Sequence, residues 1–250
     1  MTTTVQRRRA VVMGASSGMG REVAMLLLAD GWQVGVAARR QEALDEIKNQ
    51  FPQQVVCATI DVTADEASGQ LIKLIETLGG IDLYFHASGI GKQNYELQPD
   101  IELRTVATNG MGFARMVDAA YGYMAQHGGG HIAVISSIAG VKGLGVAPSY
   151  SATKAFQNTY IQALEQQAKM RHLNISFTDI RPGFVATALL DDEHSYPMLM
   201  DPKRVAKKIV KAVRAKKHVA IIDWRYRLLV AAWRRLPKAL WRHLKIKTKS

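Results

Sequence analysis

Short apolar runs alternate with longer helix-like segments along most of this chain, and that alternation restricts the fold more than any single motif does. AVVMG precedes REVAMLLLADG, WQVGVAA precedes EALDEIKNQ, VVCATI precedes a stretch ending at Leu78, and IDLYFHA precedes a long stretch ending near Gln126. HIAVISS, the segment Ser149 to Arg171 and NISFTDI continue the cycle. Runs that are apolar throughout, rather than at every second residue, suit strands covered on both faces. Strands and helices in alternation place those strands in one parallel sheet with helices on either side, an α/β doubly wound architecture. With 250 residues, 48% of them hydrophobic, the chain can bury one substantial core, so a single domain is expected. No internal repeat is visible, and Gly128 to Gly130 fit a turn before the fifth strand.

The first strand runs into Gly14-Ala15-Ser16-Ser17-Gly18-Met19-Gly20-Arg21, followed by a helix. Glycines let the backbone approach a pyrophosphate, and the unpaired amides and positive dipole end of a helix attract its charge. Ser16, Ser17 and Met19 lie between the glycines and belong to the same expected contact. The second strand ends in Arg39-Arg40 with no acid before Glu42. A guanidinium matches a 2′-phosphate and would leave a ribose diol without its acceptor, so NADP(H) is expected over NAD(H), with Arg39 as the principal contact. Asp61 and Val62 follow the third strand, where Asp61 would accept from an adenine amine or shape a turn. Ala87, Ser88 and Gly89 after the fourth strand are small enough for a cofactor to pass, and His86 reads as a hydrogen-bonded scaffold residue. The seven histidines are scattered without ligand spacing, so no metal is expected.

Charge is distributed unevenly. Residues 203 to 250 hold seventeen Lys or Arg and one acid, Asp223, so this segment carries +16 of a net +12 and the rest of the chain −4. Such a segment favours anionic surfaces. Leu229, Trp233, Leu236, Leu240 and Leu244 recur at helical spacing among Arg234, Arg235, Lys238, Arg242, Lys245 and Lys247, with a break at Pro237. Two readings stay open for residues 223–250: a basic amphipathic extension whose Trp233 and Trp241 sit at a headgroup boundary, or a helical hairpin over the substrate side or a subunit interface. Nucleic acid is disfavoured, because no recognised binding motif accompanies the charge. No run approaches the roughly 18 apolar residues of a membrane span. The single cysteine, Cys57, and the lack of an apolar leader before the glycine run point to a reducing, cytoplasmic location, with peripheral contact at the inner membrane surface through the tail.

Tyr150 and Lys154 stand four apart in YSATK. Residues at that spacing share one helical face, so the ammonium can favour the ionised form of a phenol that otherwise has a pKa near 10. Together with GASSGMG, Asp61-Val62, HASG, Asn109, ISSIAG and RPGFVAT, this ordered set resembles the short-chain dehydrogenase/reductase family up to about residue 222, in its branch of about 250 residues.

The resemblance implies a single-domain Rossmann-type sheet over residues 1–222 and a catalytic tetrad of Asn109, Ser137, Tyr150 and Lys154. Tyr150 would protonate a carbonyl oxygen, Ser137 would hydrogen-bond it, and Lys154 would hold the nicotinamide ribose and lower the Tyr150 pKa. Asn109 would hold a water linking Lys154 to solvent, and Ser136 would be scaffold. Pro182, Gly183, Val185 and Thr187 would flank the nicotinamide, and residues 188–202 would form a lid. Within that lid Leu189, Leu190, Met198, Leu199 and Met200 offer an apolar wall or pack the lid on the body. Met13 and His86 depart from the family's usual Thr and Asn.

The expected activity is NADPH-dependent reduction of an apolar or lipid-like ketone or aldehyde by a homodimer or homotetramer. Its rivals are an NAD-linked alcohol dehydrogenase and a non-catalytic dinucleotide-sensing or lipid-surface protein.

Overall fold

The computed structural model describes residues 8–190 and 196–245. Seven strands form one parallel sheet in the order β3-β2-β1-β4-β5-β6-β7. They are β1 (Arg9–Met13), β2 (Gln33–Ala38), β3 (Val55–Thr59), β4 (Leu83–His86), β5 (Gly130–Ile135), β6 (Ile175–Arg181) and β7 (Val219–Ile221). The helices are α1 (Gly18–Ala29), α2 (Gln41–Gln50), α3 (Ala67–Thr77), α4 (Pro99–Val106), α5 (Phe113–Gln126), α6 (Pro148–Met170), α7 (Pro202–Arg214), α8 (Trp224–Arg235) and α9 (Lys238–His243). Strand order reverses between β1 and β4, and ligands of open α/β sheets bind beyond the carboxyl ends of the strands at that point.

Successive side chains of β1 feed opposite cores, as the period of a strand requires. Ala10 and Val12 join Leu27, Leu28, Phe85, Ile209 and Tyr226 on one face, while Val11 and Met13 join Leu71, Tyr84, Phe113, Met116 and Phe177 on the other. Burying each of the larger side chains contributes about 1.5–3 kcal/mol, so both faces must be covered for the sheet to persist. Met13, where the family pattern has a threonine, is fully buried and packs as an ordinary core residue.

Each of the six apolar runs named in the sequence becomes a strand. The seventh, Val219–Ile221, is only three residues long between Lys216-Lys217-His218 and Ile222-Asp223 and gives almost no periodic signal. The long segment ending at Gln126 is not one helix. A π-helical turn, Ala107–Gly112, separates α4 from α5. Gly112 sits so close to Val62 that a Cβ there would fall 2.8 Å from its side chain, and Asn109 within the wider turn is fully buried. Pro148 at the first turn of α6 fits a position whose N–H has no partner within the helix. Asp201 caps α7 by accepting from the Arg204 amide at 2.8 Å. The break expected at Pro237 separates α8 from α9, and Lys247 lies outside the described residues. Tyr226 and Val230 of α8 are buried in the core, so this helix is anchored in the body of the fold.

Candidate active site

The glycine turn after β1 forms a tight cradle. Gly14 has φ +89, and a Cβ there would lie 2.7 Å from the Ser88 amide nitrogen; a Cβ on Gly20 would lie 2.2 Å from the Gly14 carbonyl oxygen. Side chains are thereby excluded, and α1 begins directly against β1 and the Ala87-Ser88 turn. Ser17, the N-cap of α1, makes no side-chain capping bond among the described residues, and no acid occupies the first turn. The first-turn amides therefore remain available to an anion, which suits a dinucleotide pyrophosphate. Thr187 faces Gly18 across this groove, its Cγ2 3.4 Å from where a Gly18 Cβ would stand.

Beyond the end of β2, Arg40 donates to the Ser16 hydroxyl at 3.1 Å, and Arg39 lies close enough to Asp61 to help hold its carboxyl below the usual range. The larger cause of that lowering is the turn Asp61 makes itself, accepting from the Thr63 amide at 2.9 Å and hydroxyl at 2.7 Å. The sequence favoured Arg39; the structure brings Arg40 to the glycine turn as well. Val62 packs on Gly112, and its carbonyl accepts from Arg115 at 3.0 Å.

The four residues of the expected tetrad lie near one another beyond the ends of β4 and β5. Ser137 follows β5 and accepts from the Ala139 amide at 3.0 Å, and its hydroxyl lies near enough to the Tyr150 phenol to favour the ionised form. Lys154 Nζ is 5.7 Å from the Tyr150 ring centroid. Gly140 lets the turn after Ser137 lie directly on α6, since a Cβ there would be 2.7 Å from the Lys154 carbonyl. The Asn109 side chain binds both backbone groups of Ile90, accepting from its amide at 2.9 Å and donating to its carbonyl at 2.7 Å. This fixes the segment after β4, in which Gly89 faces Lys154 and Gly91 lies against the Tyr150 ring.

Burial governs the charges. It raises the Tyr150 phenol above its ordinary value, only partly offset by the nearby Ser137 hydroxyl, so any lowering by Lys154 is outweighed and the phenol is protonated at neutral pH. Burial also lowers Lys154 to about 8, while the Asp179 carboxylate pulls it upward. Asp179 accepts from Ser136 and from Arg181 Nε at 2.7 Å, so Ser136 is scaffold, as expected. His86 is fully buried, its Nδ1 2.9 Å from the Tyr84 hydroxyl and its ring edge-on to Phe113. Burial first, then the Lys154 ammonium, hold its pKa down to about 3, so it stays neutral as a scaffold.

The arrangement pairs a protonated phenol and a serine hydroxyl with a cationic lysine beside an anion cradle. Comparison with known proteins agrees. The family model for short chain dehydrogenases matches residues 8–196.

The chain belongs to the short-chain dehydrogenase family.

An uncharacterized oxidoreductase of Staphylococcus aureus is 32% identical over 224 residues, covering 88% of this chain and 96% of that protein. The glycine betaine reductase of Emericella nidulans is 35% identical over 232 residues, 85% of this chain but 18% of that much longer protein. Among solved structures, a short-chain dehydrogenase from Streptomyces avermitilis superposes with a TM-score of 0.80 at 23% identity, covering 91% of this chain and 92% of the other. A variant of the actinorhodin polyketide ketoreductase with NADPH gives 0.75 at 24% identity, covering 86% and 95%. ElxO with NADP bound gives 0.77 at 22%, covering 89% and 100%. These structural likenesses show the fold, and the family makes this protein an oxidoreductase of the NAD(P)-dependent class.

In this short-chain dehydrogenase, residues whose roles the sequence did not announce tie the lid region and the C-terminal helices to the body. Tyr196 packs its ring 4.7 Å from Phe184, and its hydroxyl accepts from Gln93 at 3.2 Å, joining the lid region to the loop after β4. Tyr226 of α8 accepts from the Phe184 amide at 3.1 Å and reaches the Pro197 carbonyl at 3.0 Å. Pro182 accepts from the Ile138 amide at 3.2 Å, and Val185 bridges to Met200, so the expected nicotinamide-side segment is held to both the lid and the serine turn. Of the expected apolar wall, Met200 is buried and Met198 packs on the core, whereas Leu189 and Leu199 are exposed. Residues 191–195 of the expected lid lie outside the described residues. Trp233 and Trp241 stack edge to face at 5.6 Å, Trp241 donates to the Gly143 carbonyl at 2.8 Å, and Lys142 donates to Leu236 at 2.7 Å. Gln157, buried beside Lys154, also went unnoticed; its only signal is a polar residue one turn after the lysine on the same helical face.

Proposed function

We propose that this protein reduces a ketone or aldehyde to an alcohol with NADPH. The observation that carries the reading is the convergence of Ser137, Tyr150 and Lys154 on one spot at the mouth of the cradle, with Tyr150 in its proton-donating form. NADPH, when bound, supplies the hydride. Gly14, Gly18, Gly20 and the start of α1 hold its pyrophosphate, Arg39 and Arg40 its 2′-phosphate, and Pro182, Gly183, Val185 and Thr187 flank the nicotinamide. Ser137 and Tyr150 hydrogen-bond the substrate oxygen, and Tyr150 gives it a proton as negative charge develops there. Lys154 holds the ribose and stabilises the phenolate left behind. The NADPH and NADP of the actinorhodin ketoreductase and ElxO structures support the choice of cofactor.

The exposed Leu189 and Leu199 beside the cleft support an apolar or lipid-like substrate. Exposed Leu103, Val106, Met111 and Phe156 along α4 to α6 support burial against a second copy in a homodimer or homotetramer. The tail supports peripheral contact with an anionic membrane from the cytoplasmic side. Its outward apolar residues are Trp224, Leu228, Leu240 and Leu244 rather than the paired tryptophans. Among the described residues no helix is long and apolar enough to cross a bilayer.

The test is NADPH oxidation by the purified protein with a panel of aliphatic and aromatic ketones, with the alcohol product identified. Turnover with NADPH well above that with NADH supports the reading. Preference for NADH, or formation of NADH from an alcohol as the only reaction, favours the rival dehydrogenase.

A further inference from the structure

The Lys154 ammonium donates to the Ile135 carbonyl at 3.2 Å and to Gln157 Oε1 at 2.9 Å. The other end of the same amide, Gln157 Nε2, donates to the Asn109 carbonyl at 2.9 Å. Gln157 is fully buried, and both its partners fix its orientation, since a flipped amide would set N–H groups against the ammonium and an oxygen against a carbonyl. That carbonyl belongs to the π-helical turn Ala107–Gly112. The geometry points to Gln157 as a positioning residue that joins Lys154 to Asn109 through a fixed amide, where the family resemblance leads one to expect a water. This inference rests on the reductase reading given above.

Two consequences follow from amide chemistry. A side-chain amide neither gains nor loses a proton near neutral pH, so the bridge steadies Lys154 without passing protons toward Asn109. Two of the three Lys154 donors are taken by these acceptors, which leaves one for the ribose contact proposed above. A proton that restores Tyr150 through Lys154 therefore does not travel by way of the amide to Asn109. The bridge also sets the lysine charge, because an acceptor on an ammonium favours its protonated form. The other groups facing Lys154 are Tyr150 on α6, His86 from β4, and Asp179 from β6, whose carboxylate is shared with Arg181.

The test is direct titration of Lys154 by NMR of 13Cε-labelled lysine in the full chain without cofactor, the resonance being assigned by its loss in Lys154→Met. Gln157→Met removes the acceptor and is expected to lower the Lys154 midpoint by about one pH unit; Gln157→Glu places a carboxylate there and raises it by at least as much. Midpoints that agree within about 0.3 units across all three proteins, a small fraction of that expected shift, overturn the inference. If Gln157→Met does not fold, the Gln157→Glu midpoint decides alone: raised supports the bridge and unchanged overturns it. In the active enzyme the alkaline limb of kcat should move with the lysine, down in Gln157→Met and up in Gln157→Glu, and a stationary limb contradicts the positioning role. A wild-type protein that titrates as expected yet reduces no carbonyl counts against the proposed function and leaves the amide bridge standing.

Discussion

The Tyr226 ring lies against Gly183 so closely that a Cβ on Gly183 would fall 2.1 Å from it. This contact joins the C-terminal helices to the turn expected beside the nicotinamide, and the Tyr226 hydroxyl ties the same turn to the lid through Phe184 and Pro197. The basic tail is thus connected to the candidate site through its first helix.

Gly183→Ala should force the ring aside and lower stability by about 1–3 kcal/mol, the usual cost of overpacking. Tyr226→Phe keeps the ring but leaves the Phe184 amide without its acceptor, at about 1–3 kcal/mol. Thermal melting checks both. The Phe variant should also show greater protease sensitivity near residues 197–200, and an unchanged digestion pattern would count against Tyr226 as the lid's anchor.

Arg40→Ala should weaken NADPH binding by roughly ten- to a hundredfold, the worth of a charge-assisted bond to phosphate, and leave NADH binding nearly unchanged. Arg39→Ala should act in the same direction. Fluorescence titration with both cofactors reads this out, and equal losses for NADH and NADPH would mean that neither guanidinium meets a 2′-phosphate.

Stability should fall on mild acidification. His86 has a folded pKa of about 3 against 6.5 when unfolded, so the unfolded chain binds more protons between those values. Its contribution is complete above 6.5 and is lost as pH falls from there toward 3. His131, held at about 4 by burial and Lys216, acts in the same direction. Melting temperature should therefore drop between about pH 7 and pH 5, and His86→Asn should show a shallower slope. An identical slope in that variant would place the proton uptake elsewhere.

Full-length protein should sediment with vesicles containing anionic phospholipid and not with neutral ones, in a salt-sensitive manner. Replacing the outward Trp224 and Leu228 by Ser should reduce the bound fraction while melting stays near wild type, because both side chains are exposed. Equal recovery in the supernatant with both vesicle types removes the membrane contact.

The sheet was legible because strands such as β1 and β4, buried along nearly all their length, read as apolar runs, and even β3, only part-buried, and β6, with Ser176, Thr178 and Asp179, keep enough apolar residues to stand out. The glycine turn and the YSATK helix were legible because backbone approach and one-turn spacing demand particular residues at fixed separations. Other contacts are non-local. Tyr226 meets Phe184 across 42 residues, and Gln157 meets Asn109 across 48, through a π-helical turn that no short sequence pattern marks. The rise of the Tyr150 pKa depends on how deeply the loop at Gly91 covers the ring, which spacing alone does not encode.

The central claim is that the Tyr150 phenol gives its proton to a carbonyl beside bound NADPH, and comparing Tyr150→Phe with wild type tests it most directly. With a ketone that the wild type reduces, kcat/KM should fall by about two to four orders of magnitude, the usual contribution of a positioned general acid, while NADPH affinity and melting temperature stay near wild type. A Tyr150→Phe enzyme that keeps its cofactor affinity and retains most of the wild-type rate would contradict it.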